Sequence, residues 1–308
     1  MSWQTGDKIS YNIMDPAGNI TALVESGITA EEQPSVAALI MQKYPHIEQV
    51  GFVRPPGLED PDVQTVLRMA GGEFCGNASM CAAALYLQNR LSSEDTDQDD
   101  ADQDIVNTVS LQVSGAADPV EVRLVKTSPG TWSASVRMPE AHSVTQEEFV
   151  FAGYRGKLPV VRMEGITHII IEEESPFTAL LKNRSLAEKA AGEWCASMNA
   201  RGLGLMFLSE GLLSEENGTT ALEEPDLRLT PLVFVPGSDT LFWENSCASG
   251  SAAASIYLAS VSGQPVRLLL EEPGGTHLAE SDPTGRSTWI SGKIRLVQHF
   301  RESLRSCP

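Results

Sequence analysis

Short apolar segments recur along the chain and are separated by fewer, longer stretches with helical spacing. Some of the short segments alternate apolar and polar residues and others are continuously apolar, as strands do. They cover residues 20–24, 109–113, 134–138 and 168–171. The helical stretches cover residues 35–43, 76–89, 186–198 and 249–259. This order predicts an α+β protein in which strands wrap around a helix, and it predicts that the arrangement occurs twice.

Two segments share one order of features: a short apolar run, a cysteine, small polar residues and an alanine-rich stretch. In the first, residues 66–69 precede Cys75, and in the second, residues 240–243 precede Cys247. Each segment therefore predicts a strand followed by a cysteine at the start of a helix. The first backbone N–H groups of a helix have no partner within it and the helix dipole is positive there, so both cysteines are placed where an anion is stabilised.

The chemistry suited to two such thiols is proton exchange at a carbon next to a carboxylate. A helix N-terminus lowers a thiol pKa from about 8.5 to roughly 3.5–7.5, so we expect both cysteines to ionise readily. A thiolate removes the α-proton from one side while a thiol delivers one to the other, and no cofactor is required. The first two residues of each helix, Gly76 and Asn77 or Ala248 and Ser249, are predicted to bind the carboxylate through their N–H groups.

A lone buried cysteine beside an alanine-rich helix is more often a packing residue than a functional one. Here the whole context is repeated, and the small polar residues after Cys75 and Cys247 leave the helix N–H groups open. The repetition therefore favours a paired function. The other cysteines, Cys81, Cys195 and Cys307, lack this context, and we expect Cys81 to be a packing residue.

At these residues the sequence resembles the pyridoxal-phosphate-independent amino-acid racemase and epimerase superfamily, which includes diaminopimelate epimerase, proline racemase and the PhzF isomerases. The resemblance covers most of the chain and includes residues 15–19, 48–52 and 273–275. Segments 73–78, 138–142 and 243–247 are similar to the histidine racemase of staphylopine biosynthesis. The resemblance implies a cofactor-independent racemase with histidine as the leading substrate, in which two opposed cysteines are the acid and the base.

The resemblance also implies a domain organisation. We expect two pseudo-symmetric domains, each an antiparallel β-barrel-like sheet wrapped around a central helix. The N-terminal half, residues 1–142, would carry Cys75, and the C-terminal half, residues 143–295, would carry Cys247. The last residues, 296–308, would return to the first half.

Four further residues are implied as substrate contacts: Asn19, Gln49, His168 and Glu244. Each has a simpler alternative. Asn19 follows a glycine and could be a turn residue in the left-handed conformation, and His168 precedes an apolar run and could be a buried wall residue. Glu244 could be an anion that caps a helix start, while Gln49 begins a strand whose neighbouring residues face opposite sides.

Three other functions stay open. Diaminopimelate epimerase is disfavoured because the segment 165–168 keeps the family's histidine but loses its asparagine, and because the arginine beside Glu244 is absent. Unpaired substrate groups in a buried pocket would then cost a few kcal/mol. A PhzF-like isomerase is disfavoured because both cysteines are present. The non-enzyme alternative is a redox sensor in which Cys75 and Cys247 form a regulatory disulfide.

Composition narrows the class of partner. The formal net charge of −19 argues against nucleic acid, which needs clustered Lys and Arg. The resemblance implies a small amino acid as the partner, and a homodimer stays open. Part of the acidity lies in residues 94–104, which we interpret as a solvated loop. The five cysteines lack CxxC spacing, which predicts neither a metal site nor a disulfide framework.

The sequence contains no apolar stretch near the roughly 20 residues of a membrane span. Its first residues lack the basic start and apolar core of a signal peptide. We therefore expect no membrane partner and a cytoplasmic location, where thiols stay reduced.

Overall fold

A computed structural model describes residues 7–58, 62–93, 105–211 and 225–304. The acidic run 94–104 and Cys307, on which expectations were stated above, lie outside the described residues. The described chain is a mixture of helices and strands, so the predicted α+β class is confirmed. It divides into two compact units, Met1–Arg137 together with Ser291–Pro308, and Met138–Ile290.

The first unit is a closed barrel of eight strands with one helix inside it. Its elements are β1 (Lys8–Pro16), β2 (Thr21–Val24), α1 (Gln33–Lys43), β3 (Gln49–Arg54), β4 (Thr65–Met69), α2 (Gly76–Ser93), β5 (Asn107–Val113), β6 (Val120–Ser128), β7 (Thr131–Arg137) and β16 (Thr288–Ser303). The strands are hydrogen-bonded in the order β1 to β7 and then β16, and β16 pairs with β1 to close the ring.

Helix α2 forms the core of this barrel, because it packs against every strand from β1 to β7. Its first turns consist of small residues and are fully buried, as at Ala78, Ser79 and Ala83. Helix α1 covers another apolar cluster, in which Val36, Ala37 and Ile40 join side chains of β1, β2 and β3. The alanine-rich sequence is thus explained by enclosure: little room is left around a helix that is surrounded by strands.

The second unit repeats these types of element. Its elements are β8 (Ala141–Phe151), β9 (Tyr154–Met163), β10 (Ile166–Glu172), a 3-10 helix (Pro176–Lys182), α3 (Arg184–Ser197), β11 (Leu203–Glu210), β12 (Leu227–Val235), β13 (Thr240–Trp243), α4 (Ala248–Ser262), β14 (Val266–Glu272) and β15 (Gly275–Ser281). The strand order is β8, β9, β10, β11, β12, β14, β15, and β13 pairs with β12. Helix α4 packs against β8 to β11 and against β14 and β15. A separate cluster beneath α3 contains Phe177, Trp194 and Phe207.

The predicted antiparallel sheet is observed only in part, because four strand pairs are parallel. Strands β2 and β3, β4 and β5, β10 and β11, and β12 and β14 are parallel pairs. Each pair is connected through helical residues, because a chain that returns to run parallel to itself needs a long crossover. The buried helices α2 and α4 are two of these crossovers, which places the start of each helix beyond the end of a strand. Among the described residues, no helix is both long and apolar enough to cross a membrane.

Candidate active site

Cys75 and Cys247 each stand immediately before a buried helix. Cys247 is the N-cap residue of α4, with extended backbone angles of φ −139° and ψ 100°. In both cases the sulfur accepts the backbone N–H of the residue three positions later: Ala78 at 3.3 Å from Cys75 Sγ and Gly250 at 3.4 Å from Cys247 Sγ. The thiols thus replace the Ser, Thr or Asp side chain that commonly caps a helix, and both are almost fully buried.

Cys75 contacts an uncharged amide. Its thiol donates to Gln49 Oε1 at 2.8 Å, and Gln49 is the first residue of β3. The backbone carbonyl of Cys75 accepts the Ser79 hydroxyl at 2.7 Å, which fixes the first turn of α2. The structure therefore brings the predicted Gln49 directly against the sulfur. Gly76 and Asn77 form the beginning of the first turn, where helix geometry provides no intrahelical acceptor for an N–H group.

The loop that leads to Cys75 is braced by the turn after β5. Ser114 donates its hydroxyl to the Glu73 carbonyl at 2.9 Å and accepts the Met69 N–H at 2.9 Å. Gly115 presses against the same loop with φ +76°, and a Cβ atom there would lie 2.3 Å from the Phe74 nitrogen. Only glycine fits this close approach of two backbones. The position of Cys75 is thus set by residues about forty positions later in the sequence.

Asn19 is fully buried in the first unit, and its side chain is only partly satisfied by protein. Its Nδ2 donates to Glu48 Oε2 at 2.8 Å, and Glu48 directly precedes Gln49. Its Oδ1 has no hydrogen-bond partner among the described residues. The left-handed residues of this turn are Ala17 and Gly18, with φ 54° and 89°. Asn19 is therefore not a left-handed turn residue, and that alternative is wrong.

Cys247 lies among carboxylates. Its thiol is hydrogen-bonded to the Glu244 side chain, and its backbone N–H donates to Glu272 Oε2 at 2.6 Å. Ser249 Oγ lies 3.5 Å from the sulfur. Ala248 and Ser249 begin the first turn of α4 and are buried. Glu244 and Ser249, both predicted as site residues, are therefore next to Cys247.

The expectation that Cys247 ionises readily is wrong for this structure. Burial, followed by the negative charge of Glu244, raises the pKa of the Cys247 thiol well above its usual value. The charge of Glu272 acts in the same direction, while the hydrogen bond with Ser249 opposes it. The helix N-terminus does favour a thiolate. The loss of contact with water and the two nearby carboxylates together outweigh this effect of the helix N-terminus on the thiol pKa.

His168 lies in the core of the second unit. It is fully buried on β10, and burial lowers its pKa to about 3, so the ring is neutral at physiological pH. Neither ring nitrogen has a hydrogen-bond partner among the described residues. The ring packs on Gly204, where a Cβ would lie 2.3 Å from His168 Nδ1 and 2.6 Å from Met206 Cε.

Met206 links His168 to the cysteine. A Cβ atom built on Gly250 would lie 2.2 Å from Met206 Sδ and 3.3 Å from Cys247 Sγ. The thioether of Met206 is therefore packed between the start of α4 and the strand pair that carries His168. Of the residues proposed for the second half, Glu244, Ala248 and Ser249 adjoin the sulfur, whereas His168 is one side chain removed from it.

Sequence reasoning missed a buried polar cluster behind Cys247, formed by Ser251, Glu272 and His277. The Ser251 hydroxyl donates to Glu272 Oε1, and His277 Nδ1 lies 3.3 Å from the same oxygen and 3.2 Å from Ser251 Oγ. A signal was available, because alternation along β14 puts Glu272 on the same side as the buried Leu270. A carboxylate on the apolar face of a strand needs buried partners.

The four described cysteines, Cys75, Cys81, Cys195 and Cys247, are free thiols. Cys81 is fully buried inside the barrel, where burial raises its thiol pKa well above the usual value, which fits a packing role. Cys195 donates its thiol to the Ala200 carbonyl at 3.4 Å. In the described part of the chain, no group of three or more His, Cys, Asp or Glu side chains is arranged to hold a metal ion.

Comparison with known proteins identifies the family. A family model described as "Histidine racemase CntK N-terminal domain" matches residues 8–299. The chain is 27% identical to a histidine racemase of Staphylococcus aureus over 94% of this chain and 95% of the relative, and 28% identical to a histidine racemase of Fusobacterium nucleatum over 92% and 93%. Its fold is similar to that of a hydroxyproline epimerase from Agrobacterium vitis with bound trans-4-hydroxy-L-proline, with a TM-score of 0.61 and 12% identity over 99% of this chain and 94% of that one.

The family match extends over nearly the whole chain, from β1 to β16. The predicted resemblance to amino-acid racemases is confirmed by the family match, and the likeness to the hydroxyproline epimerase shows a shared fold. The chain thus belongs to the CntK histidine racemase family, and so to the amino-acid racemases, a class of isomerases.

Proposed function

We propose that the protein racemises histidine without a cofactor and that Cys75 and Cys247 exchange the α-proton. One repeated observation supports the proposal. At the start of each of two buried helices stands a cysteine with a free thiol, and its sulfur accepts a backbone N–H group of that helix. Membership of a histidine racemase family supports the reaction, and the names of the two curated relatives support the substrate.

The proton steps balance within the two thiols. A thiolate takes the α-proton, so the C–H bond breaks, an S–H bond forms and the electron pair passes into the substrate carboxylate as an enediolate. The other thiol then gives its proton to the opposite face of the α-carbon, so its S–H bond breaks and a new C–H bond forms. The product has the inverted configuration, and the two cysteines have exchanged protonation states.

The increased charge on the carboxylate needs donors that are already in place. We assign this role to the first-turn amides of Gly76 and Asn77 and of Ala248 and Ser249. Asn19 offers a buried amide oxygen that has no hydrogen-bond partner in the described part of the chain, and this oxygen is suited to the substrate ammonium. Glu244 is the second group proposed for the ammonium, because it lies against Cys247. His168 is retained as an indirect contact, through Met206.

Two pseudo-symmetric halves, residues 1–142 and 143–295, are part of this proposal, with residues 296–308 returning to the first. The pairing pattern supports it: β1 to β6 alternate antiparallel and parallel pairs in the same sequence as β9, β10, β11, β12, β14 and β15. In each series, the second parallel crossover is the helix that follows a cysteine. If both halves descend from one duplicated unit, each half contributes one thiol.

The test is an α-proton exchange screen. Reduced protein in D2O is given each common L-amino acid and diaminopimelate, and deuterium at the α-carbon is followed by NMR. Exchange into histidine, with appearance of D-histidine, is expected.

Exchange into diaminopimelate instead would make the protein an epimerase. Exchange into none of these substrates, together with a reversible Cys75–Cys247 disulfide, would favour the redox sensor. Matched reactions after alkylation of the thiols serve as the control, since they remove the proposed acid and base.

A further inference from the structure

We propose that Glu272, held in place by Ser251 and His277, is a positioning residue that keeps Cys247 in its thiol form, so that Cys247 is the acid of the resting enzyme. The role rests on the proposed function, in which one cysteine must start as a thiol and the other as a thiolate. It assigns the two roles, which the sequence leaves open.

Glu272 is held as a buried acceptor beside Cys247. Its side chain is fully buried, and it accepts the Cys247 N–H on Oε2 and the Ser251 hydroxyl on Oε1, with His277 Nδ1 3.3 Å from Oε1. A carboxylate accepts on both oxygens, so Glu272 presents a carboxylate to the backbone of Cys247.

His277 packs against the same carboxylate. Its Nδ1 lies 3.3 Å from Glu272 Oε1 and 3.2 Å from Ser251 Oγ, and the Ser251 hydroxyl itself donates to Glu272. His277 Nε2 has no hydrogen-bond partner among the described residues. Ser251 and His277 therefore fix the position of the Glu272 carboxylate.

The carboxylate of Glu272 is held close to the Cys247 thiol. Glu272 accepts the backbone N–H group of Cys247, so its charge stays within the same residue's surroundings as the sulfur. Among the described residues of this unit, the titratable groups that face Cys247 are Glu244 from the preceding loop, Glu272 from β14 and, behind it, His277 from β15; His168 on β10 lies beyond Met206. The two that adjoin Cys247 are carboxylates, so the surroundings oppose a second negative charge.

The turn after β14 gives this arrangement its rigidity. Gly274 N–H donates to the Asn245 carbonyl at 2.8 Å, next to Glu244. The loop before Cys247 and the turn after Glu272 are therefore tied to each other at two points. The Pro273–Gly275 turn, recognised in the sequence only by resemblance, serves to hold the carboxylate against the cysteine.

The experiment measures the ionisation of Cys247 without substrate. The rate of Cys247 alkylation by iodoacetamide is followed against pH by peptide mass spectrometry, in the wild type and in Glu272→Gln. The glutamine keeps an acceptor for the Cys247 N–H but removes the charge. We expect the midpoint to fall by about one pH unit, which is about tenfold faster alkylation at pH 8.

Glu271→Gln is the matched control, because Glu271 is the neighbouring residue on the exposed side of β14 and pairs with Arg228 at 2.6 Å. It should leave the Cys247 profile unchanged. An unchanged midpoint in folded Glu272→Gln, or an equal shift in Glu271→Gln, would overturn the proposal.

Ser251→Ala distinguishes an electrostatic effect of Glu272 from a loss of packing around Cys247. It is also the variant to use if Glu272→Gln does not fold. Removal of one donor leaves the Glu272 charge less compensated, so alkylation at pH 8 should become roughly threefold slower. A merely structural role predicts the opposite, since a loosened site exposes the thiol and speeds alkylation. Because no substrate is present, these rates answer the question even if the exchange screen finds another substrate or none.

Discussion

The two cysteine sites share one backbone device and differ in what surrounds the sulfur. Both sulfurs cap the helix that follows by accepting the N–H group three residues later. Cys75 contacts Gln49, whose amide can turn over and present either its oxygen to a thiol or its N–H groups to a thiolate. Cys247 contacts Glu244, whose carboxylate favours the thiol alone. The surroundings of Cys75 therefore suit both a thiol and a thiolate, whereas those of Cys247 favour the thiol.

The braces behind the two sites differ in the same way. The turn after β5 holds the Cys75 loop with a serine hydroxyl and a glycine, Ser114 and Gly115. The end of β14 holds the Cys247 loop, because the buried carboxylate of Glu272, the last residue of that strand, accepts the Cys247 N–H group. The comparison teaches that helix position alone does not set a thiol pKa. The loop before Cys75 is held by uncharged groups and the loop before Cys247 by a carboxylate, so the two thiols lie in different electrostatic surroundings.

The largest effect should come from removal of either sulfur. Cys75→Ser and Cys247→Ser should each lower the racemisation rate by roughly 10³-fold, because a hydroxyl is a far weaker acid than a thiol and the proton relay needs both groups. Cys195→Ser is the control and should retain the wild-type rate, since serine also donates to the Ala200 carbonyl. Wild-type rates in either of the first two variants would show that the two-thiol mechanism is incorrect.

A second change would make the neutral site resemble the charged one. Gln49→Glu places a carboxylate against Cys75 and should raise the pKa of that thiol, since like charges disfavour each other. We expect roughly tenfold slower alkylation of Cys75 at pH 8 and a kcat lowered by about 10- to 100-fold. Gln42→Glu, on the exposed side of α1, is the charge-matched control. Equal behaviour of the two variants would mean that Gln49 does not set the state of Cys75.

A third change tests the packing that distinguishes the two helix starts. The residue whose N–H group donates to the sulfur is Ala78 at Cys75 and Gly250 at Cys247, and Gly250 leaves room for Met206. Gly250→Ala should lower the free energy of unfolding by about 2 kcal/mol through overpacking.

The control for this change is Gly192→Ala in α3, where an added Cβ meets nothing within 4 Å. It should raise stability by roughly 0.5–1 kcal/mol, as alanine does in a helix interior. Denaturant titration of both variants checks the difference, and a stabilised Gly250→Ala would show that Met206 moves aside.

The smallest effect concerns acid sensitivity of the second unit. Burial lowers the pKa of His168 from 6.5 to about 3, so between these values the unfolded chain binds a proton that the folded chain does not. Stability therefore falls as pH falls through this window, by about 1.4 kcal/mol at pH 5.5 for this group.

His168→Gln should remove that part of the loss between pH 8 and 5.5, whereas His46→Gln, at an exposed position, should not. Urea unfolding at the two pH values provides the measurement. A loss that is unchanged in His168→Gln would place the acid sensitivity elsewhere.

The sequence predicted the elements around both cysteines closely. The expected helices 76–89 and 249–259 are observed as Gly76–Ser93 and Ala248–Ser262, and the expected strand 240–243 is Thr240–Trp243. These are local features, because apolar spacing and small residues after a cap act within a few positions of the chain. Family membership followed from the same short segments.

The tertiary structure alone decided the rest. The antiparallel sheet was predicted correctly only in part, because alternation along a strand does not report the direction of its neighbour. The left-handed residues of the turn before Asn19 proved to be Ala17 and Gly18, and Asn19 instead donates its side-chain amide to Glu48, a partner 29 residues away.

By itself, the sequence determined that two thiols begin two enclosed helices, because that depends on neighbours along the chain. It did not determine how easily either thiol ionises. Cys247 precedes Glu272 by 25 residues, and only folding brings that carboxylate to 2.6 Å from the Cys247 nitrogen, away from water. Charges act through space and more strongly in a buried site, so the electrostatics of the second cysteine are a property of the fold.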